Sequence, residues 1–404
     1  MANQRQTGDR AEACGDAVPL LDPSGDQERQ NARDELAVYV HIPWCIKKCP
    51  YCDFNSHPVR GNEDYTAYAT ALLDDWRTQL VRFGLRPKIT SVFFGGGTPS
   101  LAPPFLFARI LDALAPSAAV EVTMEANPGT AEYADFAGYR QAGINRLSIG
   151  VQSLNNKHLN ALGRVHDSAE VIYAYDKARN AGFDNINLDL MWGLPAQAPD
   201  EALDDLQHAI SLAPEHLSWY QLTIEEKTEF ARRPPQLPQE DPLGDMETAG
   251  LALLEDSGYE RYEVSAFARE QRLRCAHNLN YWGFGDYIGL GAGAHGKLTA
   301  RGTHGLAIQR THHPRSPRLF QAHPEAAQVD NIDPDDVPLE FLLNVLRLVE
   351  GVTFEEMWLR TGLGPAALAP HWARLVDLGL VHADRVGTTP LGLRYLDSTL
   401  AQFA

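Results

Sequence analysis

The sequence predicts an α/β protein organised around a parallel sheet, with a small helical module at its C-terminal end. From residue 36 to residue 222 short apolar runs alternate with amphipathic stretches at the length of strand-helix units. Beyond residue 334 the apolar runs give way to short helical ones. A third observation bounds the size: 404 residues, 44% of them apolar, leave room for one large domain and one or two small ones, with a core that needs no thiol staples.

Residues 36–42 read as the first strand, and 64–83 as a helix because Tyr68, Leu72, Trp76 and Leu80 share one stripe. The second strand is expected at 89–94, followed by Gly95-Gly96-Gly97-Thr98-Pro99 and a helix at 104–114. Further strands are expected at 120–125, 146–150, 185–190 and 216–222, with helices at 168–181 and 200–212. Repeated units of this kind form a parallel sheet with right-handed crossovers, but periodicity leaves open whether that sheet is flat or curled into a barrel. The Pro- and acid-rich stretch 232–242 reads as a loop leading into a helix at 246–257, and 283–296 as a glycine-rich core of an intermediate region. Phe341, Leu342, Val345, Leu346 and Leu348 outline a first C-terminal helix, with others at 354–359 and 368–378. Residues 389–396 read as a hairpin edge, so the module is expected to be winged-helix-like.

Composition excludes several classes. Five cysteines are too few for a disulfide scaffold in a chain of this length, and three of them lie inside eight residues, which indicates a metal in a reducing compartment. The first 34 residues are polar, have no apolar signal-peptide region and read as a disordered tail in which Cys14 is a bystander. No segment approaches the roughly 18 to 20 apolar residues that span a bilayer, so a cytoplasmic protein is expected. Thirty-five basic against fifty-three acidic residues give a net charge of −18, which disfavours nucleic acid as a partner. The one basic run, 310–318, is broken by prolines and reads as a solvated loop, the alternative being contact with an anionic ligand or a membrane surface.

Cys45, Cys49 and Cys52 follow the first strand directly. Soft thiolates in this grouping select an iron-sulfur cluster, zinc or copper(I), and three ligands leave one coordination position open. A zinc site completed by His41 or His57 explains the thiols alone. The glycine run lets backbone approach a ligand closely, yet it is no dinucleotide fingerprint, because the GxGxxG spacing is absent.

The CxxxCxxC spacing resembles that of the radical S-adenosylmethionine (SAM) superfamily. Its flanks, Tyr39-Val-His-Ile-Pro-Trp-Cys45 and Cys49-Pro-Tyr-Cys-Asp-Phe-Asn-Ser-His57, are similar to the branch containing anaerobic coproporphyrinogen III oxidase and the heme chaperone HemW. The resemblance runs from about residue 36 through the C-terminal module. It implies a partial (β/α)6 barrel at 35–230, an intermediate region at 231–330 and a C-terminal domain at 331–404. It further implies a [4Fe-4S] cluster on the three cysteines, with SAM on the open iron, and one-electron chemistry fed by a low-potential donor. By position in the family motifs, Tyr39, Tyr51, Gly96, Gly97, Thr98, Glu125, Gln152, Arg164 and Asp189 are implied to contact cluster or SAM. The chemistry suits them: carboxylates hold an ammonium group or ribose hydroxyls, and Arg164 holds a carboxylate.

Two departures from the oxidase indicate the chaperone side. Phe54 stands where the oxidase carries a further cysteine, and His277-Asn-Leu-Asn-Tyr-Trp282 matches the HNxxYW motif associated with heme binding in HemW proteins. Imidazole ligates iron and an aromatic ring stacks on a porphyrin, so His277 and Trp282 are the expected heme residues, with Cys275 and His295 as alternatives for the iron. The implied function is heme delivery to hemoproteins, in family terms those of the respiratory chain. The oxidase and a radical SAM methyltransferase are the other readings.

Overall fold

In the computed structural model, residues 35–129, 135–302 and 305–403 are described; Cys14 and the polar tail lie outside them. Six strands, β1 (Glu35–Ile42), β2 (Lys88–Gly96), β3 (Glu121–Ala126), β4 (Arg146–Gln152), β5 (Ile186–Trp192) and β6 (His216–Gln221), lie side by side in chain order, all parallel. Helices α1 (Tyr65–Phe83), α2 (Pro104–Leu114), α3 (Phe136–Ala142), α4 (Ser168–Asn180) and α5 (Pro199–Ser211) occupy the five crossovers. Strand order equal to chain order means a single winding direction, which is that of a barrel and not of a doubly wound sheet. Local signals set the helix ends. The Asp64 side chain accepts from the Ala67 amide and Gly84 turns left-handed at φ +62°, while Asp167 and Glu170 form a capping box on α4.

Along each strand the side chains alternate. Leu36, Val38, Val40 and Ile42 of β1 enter the same core as Tyr68, Leu72 and Trp76 of α1. Ala37, Tyr39 and His41 therefore take the concave face. The same alternation puts Glu125, Ser148, Asn187, Asp189 and His216 inside, so the barrel has an apolar coat and a polar bore.

Beyond β6 come α6 (Glu240–Asp256), which starts before the expected 246, and then β7 (Glu260–Glu263), β8 (Ala266–Ala268) and α7 (Ala276–Trp282). Strand β8 pairs antiparallel with β6 and with β7. The glycine-rich stretch contains a strand that its composition conceals: β9 (Tyr287–Leu290) joins β1 in parallel on its free side. Glycine is required there, since a Cβ on Gly289 would stand 2.0 Å from the His295 carbonyl oxygen. An antiparallel extension follows, of β10 (His295–Gly302), β11 (Gly305–His312) and β12 (Gln328–Asn331). The basic run is thus not a solvated loop throughout. Its residues 310–312 lie in β11, and His313 is buried with Nε2 3.0 Å from Asp75 of α1.

At the C-terminal end α8 (Val337–Val345), α9 (Phe354–Thr361) and α10 (His371–Asp377) share a second core with Phe341, Met357, Trp372 and Leu375. The hairpin expected at 389–396 is instead two short helices, Pro390–Arg394 and Leu396–Leu400. The Thr389 side chain caps the first by accepting from the Gly392 amide, with proline in its first turn. Antiparallel pairing occurs earlier, where Val381 meets Thr388 and Val352 meets Val386. No helix among the described residues is long and apolar enough to cross a membrane.

Candidate functional site

The three cysteines sit on the loop that leaves the carboxyl end of β1, all half-buried free thiols. A short parallel ladder pairs Trp44 with His57 and Cys45 with Pro58, closing the loop at its base. The glycine run at the end of β2 is laced to the same loop: Gly97 donates to the Ile42 carbonyl at 2.8 Å and Thr98 to the Trp44 carbonyl at 2.7 Å. Thr98 Oγ1 donates to Cys45 Sγ at 3.4 Å, and the Arg164 guanidinium donates to Cys49 Sγ at 3.7 Å. Both of these donors aim at sulfur, and burial pushes the Cys52 thiol up. Tyr51, between Cys49 and Cys52, is half-buried with its ring 6.3 Å from Phe230.

The donor set fits an iron-sulfur cluster better than a single ion. Among the described residues no three His, Cys, Asp or Glu side chains converge as one metal requires, whereas in a cubane each thiolate meets a different iron. The histidines that zinc would recruit are engaged. His41 accepts from the Tyr39 hydroxyl at Nδ1 (3.0 Å) and donates from Nε2 to the Asn55 carbonyl (2.8 Å), and His57 Nε2 donates to the Arg315 carbonyl (3.1 Å).

Next to this loop the bore presents two half-buried carboxylates. Glu125 accepts from the Gly96 amide at 3.1 Å, and its pKa is pushed up to about 8 by burial first and by Asp189 second. Asp189 is also raised by burial, even though Ser148 Oγ (2.9 Å) and Asn187 Nδ2 (2.8 Å) donate to it. A buried carboxyl that a neighbouring carboxylate raises further is electrostatically short of a cation, which suits a ligand carrying ammonium or sulfonium charge. Arg164 supplies the complement for an anionic end: it is fixed by the Gly150 carbonyl at 2.8 Å and by Asn127 Oδ1. Gln152 is buried in a left-handed backbone (φ +66°) with its Oε1 accepting from Tyr220 at 2.7 Å. A non-glycine residue held there costs on the order of 1 kcal/mol or more, and such strain clusters at ligand sites.

Helix α7 places the HNxxYW motif. Glu121 accepts from the Ala276 amide at 3.0 Å in its first turn. The His277 ring lies inside the wall, 4.9 Å from Phe93, 6.0 Å from Tyr39 and 6.4 Å from Tyr287. Its Nδ1 is buried without a hydrogen-bond partner, and burial lowers its pKa to about 4. The imidazole thus borders the bore and is not presented at the surface, while Trp282 is half-buried beneath the Arg347 guanidinium at 4.9 Å. A directed chain joins the pocket to this helix. Asn187 donates to Asp189, His216 Nδ1 donates to Asn187 (2.7 Å), Tyr262 donates to His216 Nε2 (2.9 Å), and the Cys275 amide donates to Tyr262 (3.2 Å).

Sequence reasoning missed Asn127, Ser148, His216 and Tyr220. Only Asn127 had a local signal, as the residue between a strand-end carboxylate and Pro128; the others are ordinary polar residues until the barrel turns them inward. One prediction arises from the glycine run: a Cβ on Gly97 would stand 2.6 Å from the Trp44 carbonyl oxygen. Gly97→Ala is therefore expected to displace the cysteine loop at a cost of about 1 to 3 kcal/mol, read as a lower melting temperature together with reduced iron uptake, while Gly61→Ala, with nothing within 4 Å but φ +81°, loses stability alone.

Comparison with known proteins follows the same lines. Residues 39–209 match the Radical SAM superfamily. The chain is 44% identical to the heme chaperone HemW of Escherichia coli over 91% of its own length and 98% of that protein's, and 46% identical to that of Haemophilus influenzae over 82% and 88%. Among solved structures it superposes on coproporphyrinogen III oxidase (HemN) from Escherichia coli with a TM-score of 0.75, covering 95% of this chain and 93% of that one at 22% identity, a likeness of fold.

Proposed function

This chain belongs to the HemW family of the radical SAM superfamily, and from that premise we propose that it is a heme chaperone, binding a [4Fe-4S] cluster and SAM and delivering heme to hemoproteins, those of the respiratory chain among them. The observation that carries the reading is identity above 40% to proteins named as heme chaperones along nearly the whole chain.

Cys45, Cys49 and Cys52 would hold the cluster, which when bound supplies one-electron reducing power. Glu125 and Asp189 would hold the cationic groups of SAM and Arg164 its carboxylate, with Gly96, Gly97 and Thr98 offering backbone and hydroxyl contacts and Gln152 and Tyr39 closing the sides. Tyr51 would pack beside the cluster between two of its ligands. His277 would wall the bore behind Tyr39, and Trp282 would brace α7 against the C-terminal helices. A low-potential donor would reduce the cluster.

The test is purification without oxygen, reconstitution with iron and sulfide, hemin titration, and then incubation with coproporphyrinogen and SAM. Stoichiometric heme retention, transfer to an apo-hemoprotein and no decarboxylation is the expected result. Release of carbon dioxide from coproporphyrinogen with consumption of SAM would replace the chaperone by the oxidase.

A further inference from the structure

A glutamine amide donates at one end and accepts at the other, so what it offers a ligand depends on which end is already engaged. At Gln152 a residue of another strand makes that choice. Three steps along β4, from Ile149 to Gln152, face two along β5, from Leu188 to Leu190, so a bulge re-aims Gln152 at the end of its strand. The backbone there is left-handed at φ +66° and the residue is buried. In this position Gln152 Oε1 accepts from the Tyr220 hydroxyl at 2.7 Å.

Tyr220 is fitted to donate. Leu217 and Trp219 of β6 enter the apolar core, so the alternation turns Ser218 and Tyr220 into the bore. The Tyr220 ring packs with Tyr51 on the cluster of Leu162, Met191 and Phe230, which fixes where its hydroxyl stands. Burial first and the Asp189 carboxyl second hold the phenol well above its usual range, so it keeps its proton. With Oε1 engaged, the Gln152 amide turns Nε2 away from Tyr220, and no described residue accepts from it. Nε2 faces a gap over Gly150. A Cβ on Gly150 would stand 3.0 Å from Gln152 Nε2, 2.9 Å from Asn127 Oδ1 and 3.4 Å from Arg164 Nη2. Asn127 Oδ1 is itself taken by Arg164, so an amide NH2 and a guanidinium open together onto this gap. Such a pair complements a carboxylate.

Resting on the reading that SAM binds in the bore, we propose that Tyr220 is a positioning residue for that cofactor: by holding Gln152 Oε1 it turns the amide so that Nε2 donates to the SAM carboxylate alongside Arg164. Phenylalanine at this position would keep the ring and its packing but release the amide. In its other orientation the amide would set its oxygen against the carboxylate, so the hydroxyl contributes by fixing the orientation before the ligand arrives.

The experiment is calorimetric titration of the reconstituted full chain with SAM and with decarboxylated SAM, which keeps the sulfonium and the adenosine and lacks the carboxylate. Tyr220→Phe is expected to weaken SAM about fivefold, the value of one neutral hydrogen bond, with iron and sulfide content as in the wild type and affinity for decarboxylated SAM unchanged. Gln152→Leu is expected to lose at least as much on SAM, and adding Tyr220→Phe to it to lose nothing further, because the hydroxyl acts through the amide. Wild-type affinity for SAM in Tyr220→Phe overturns the assignment, as does an equal loss on both ligands or a further loss in the double variant. Wild-type protein that binds no SAM overturns the cofactor reading itself.

Discussion

Cys49→Ala protein, reconstituted with iron and sulfide in the absence of oxygen, is expected to retain neither beyond background, and Cys45→Ala and Cys52→Ala to behave alike. The loop would offer three thiolates to the proposed cluster, and a cluster already one protein ligand short would not survive on two. Cys275→Ala is the control. Its thiol is 1% exposed, packed 3.5 Å from Glu121 and pushed up to about 12 by burial, so it is inert toward iron. Iron and sulfide analysis beside the visible spectrum decides the matter, and full content in any one of the three loop variants would remove the assignment.

Glu125→Gln is expected to weaken SAM by about 1.5 to 3 kcal/mol, roughly ten- to a hundredfold, through loss of a charge-assisted contact. The pH dependence makes the test sharper. In the ligand-free protein Glu125 titrates at about 8, so at pH 7 it is mostly protonated, while a cationic ligand favours the carboxylate. Binding then expels a proton, and the affinity of the wild type should climb as pH rises through about 8. The variant should show no such climb. Stability has the opposite slope: the native state holds a proton that the unfolded state releases near 4.5, so Glu125 erodes stability as pH rises from about 4.5 to about 8, and Glu125→Gln removes that erosion. Calorimetric titration across this range, with equal slopes in both proteins, would exclude Glu125 from the ligand's cationic groups.

Much of the site is readable in the sequence, because its signals are local. Three thiols within eight residues, a glycine run after a strand and carboxylates at strand ends are patterns of neighbouring residues. The six parallel strands were legible for the same reason, alternation and helical stripes being short-range properties. Where local cues conflicted, the reading failed. Residues 287–290 look like loop because glycine flanks them, yet they pair with β1. Residues 389–396 look like a hairpin, yet Thr389 caps a helix.

By itself, then, the sequence determined the family, the cysteine loop, the barrel strands and the identity of the charged residues at the strand ends. Only the tertiary structure decided that Asp189 raises Glu125, that Arg164 reaches Cys49 and that His277 packs on Tyr39 inside the wall. Each of those facts is a distance between residues tens to hundreds of positions apart. Such distances are set by strand order, register and which way each side chain alternates, and no stretch of neighbouring residues encodes them.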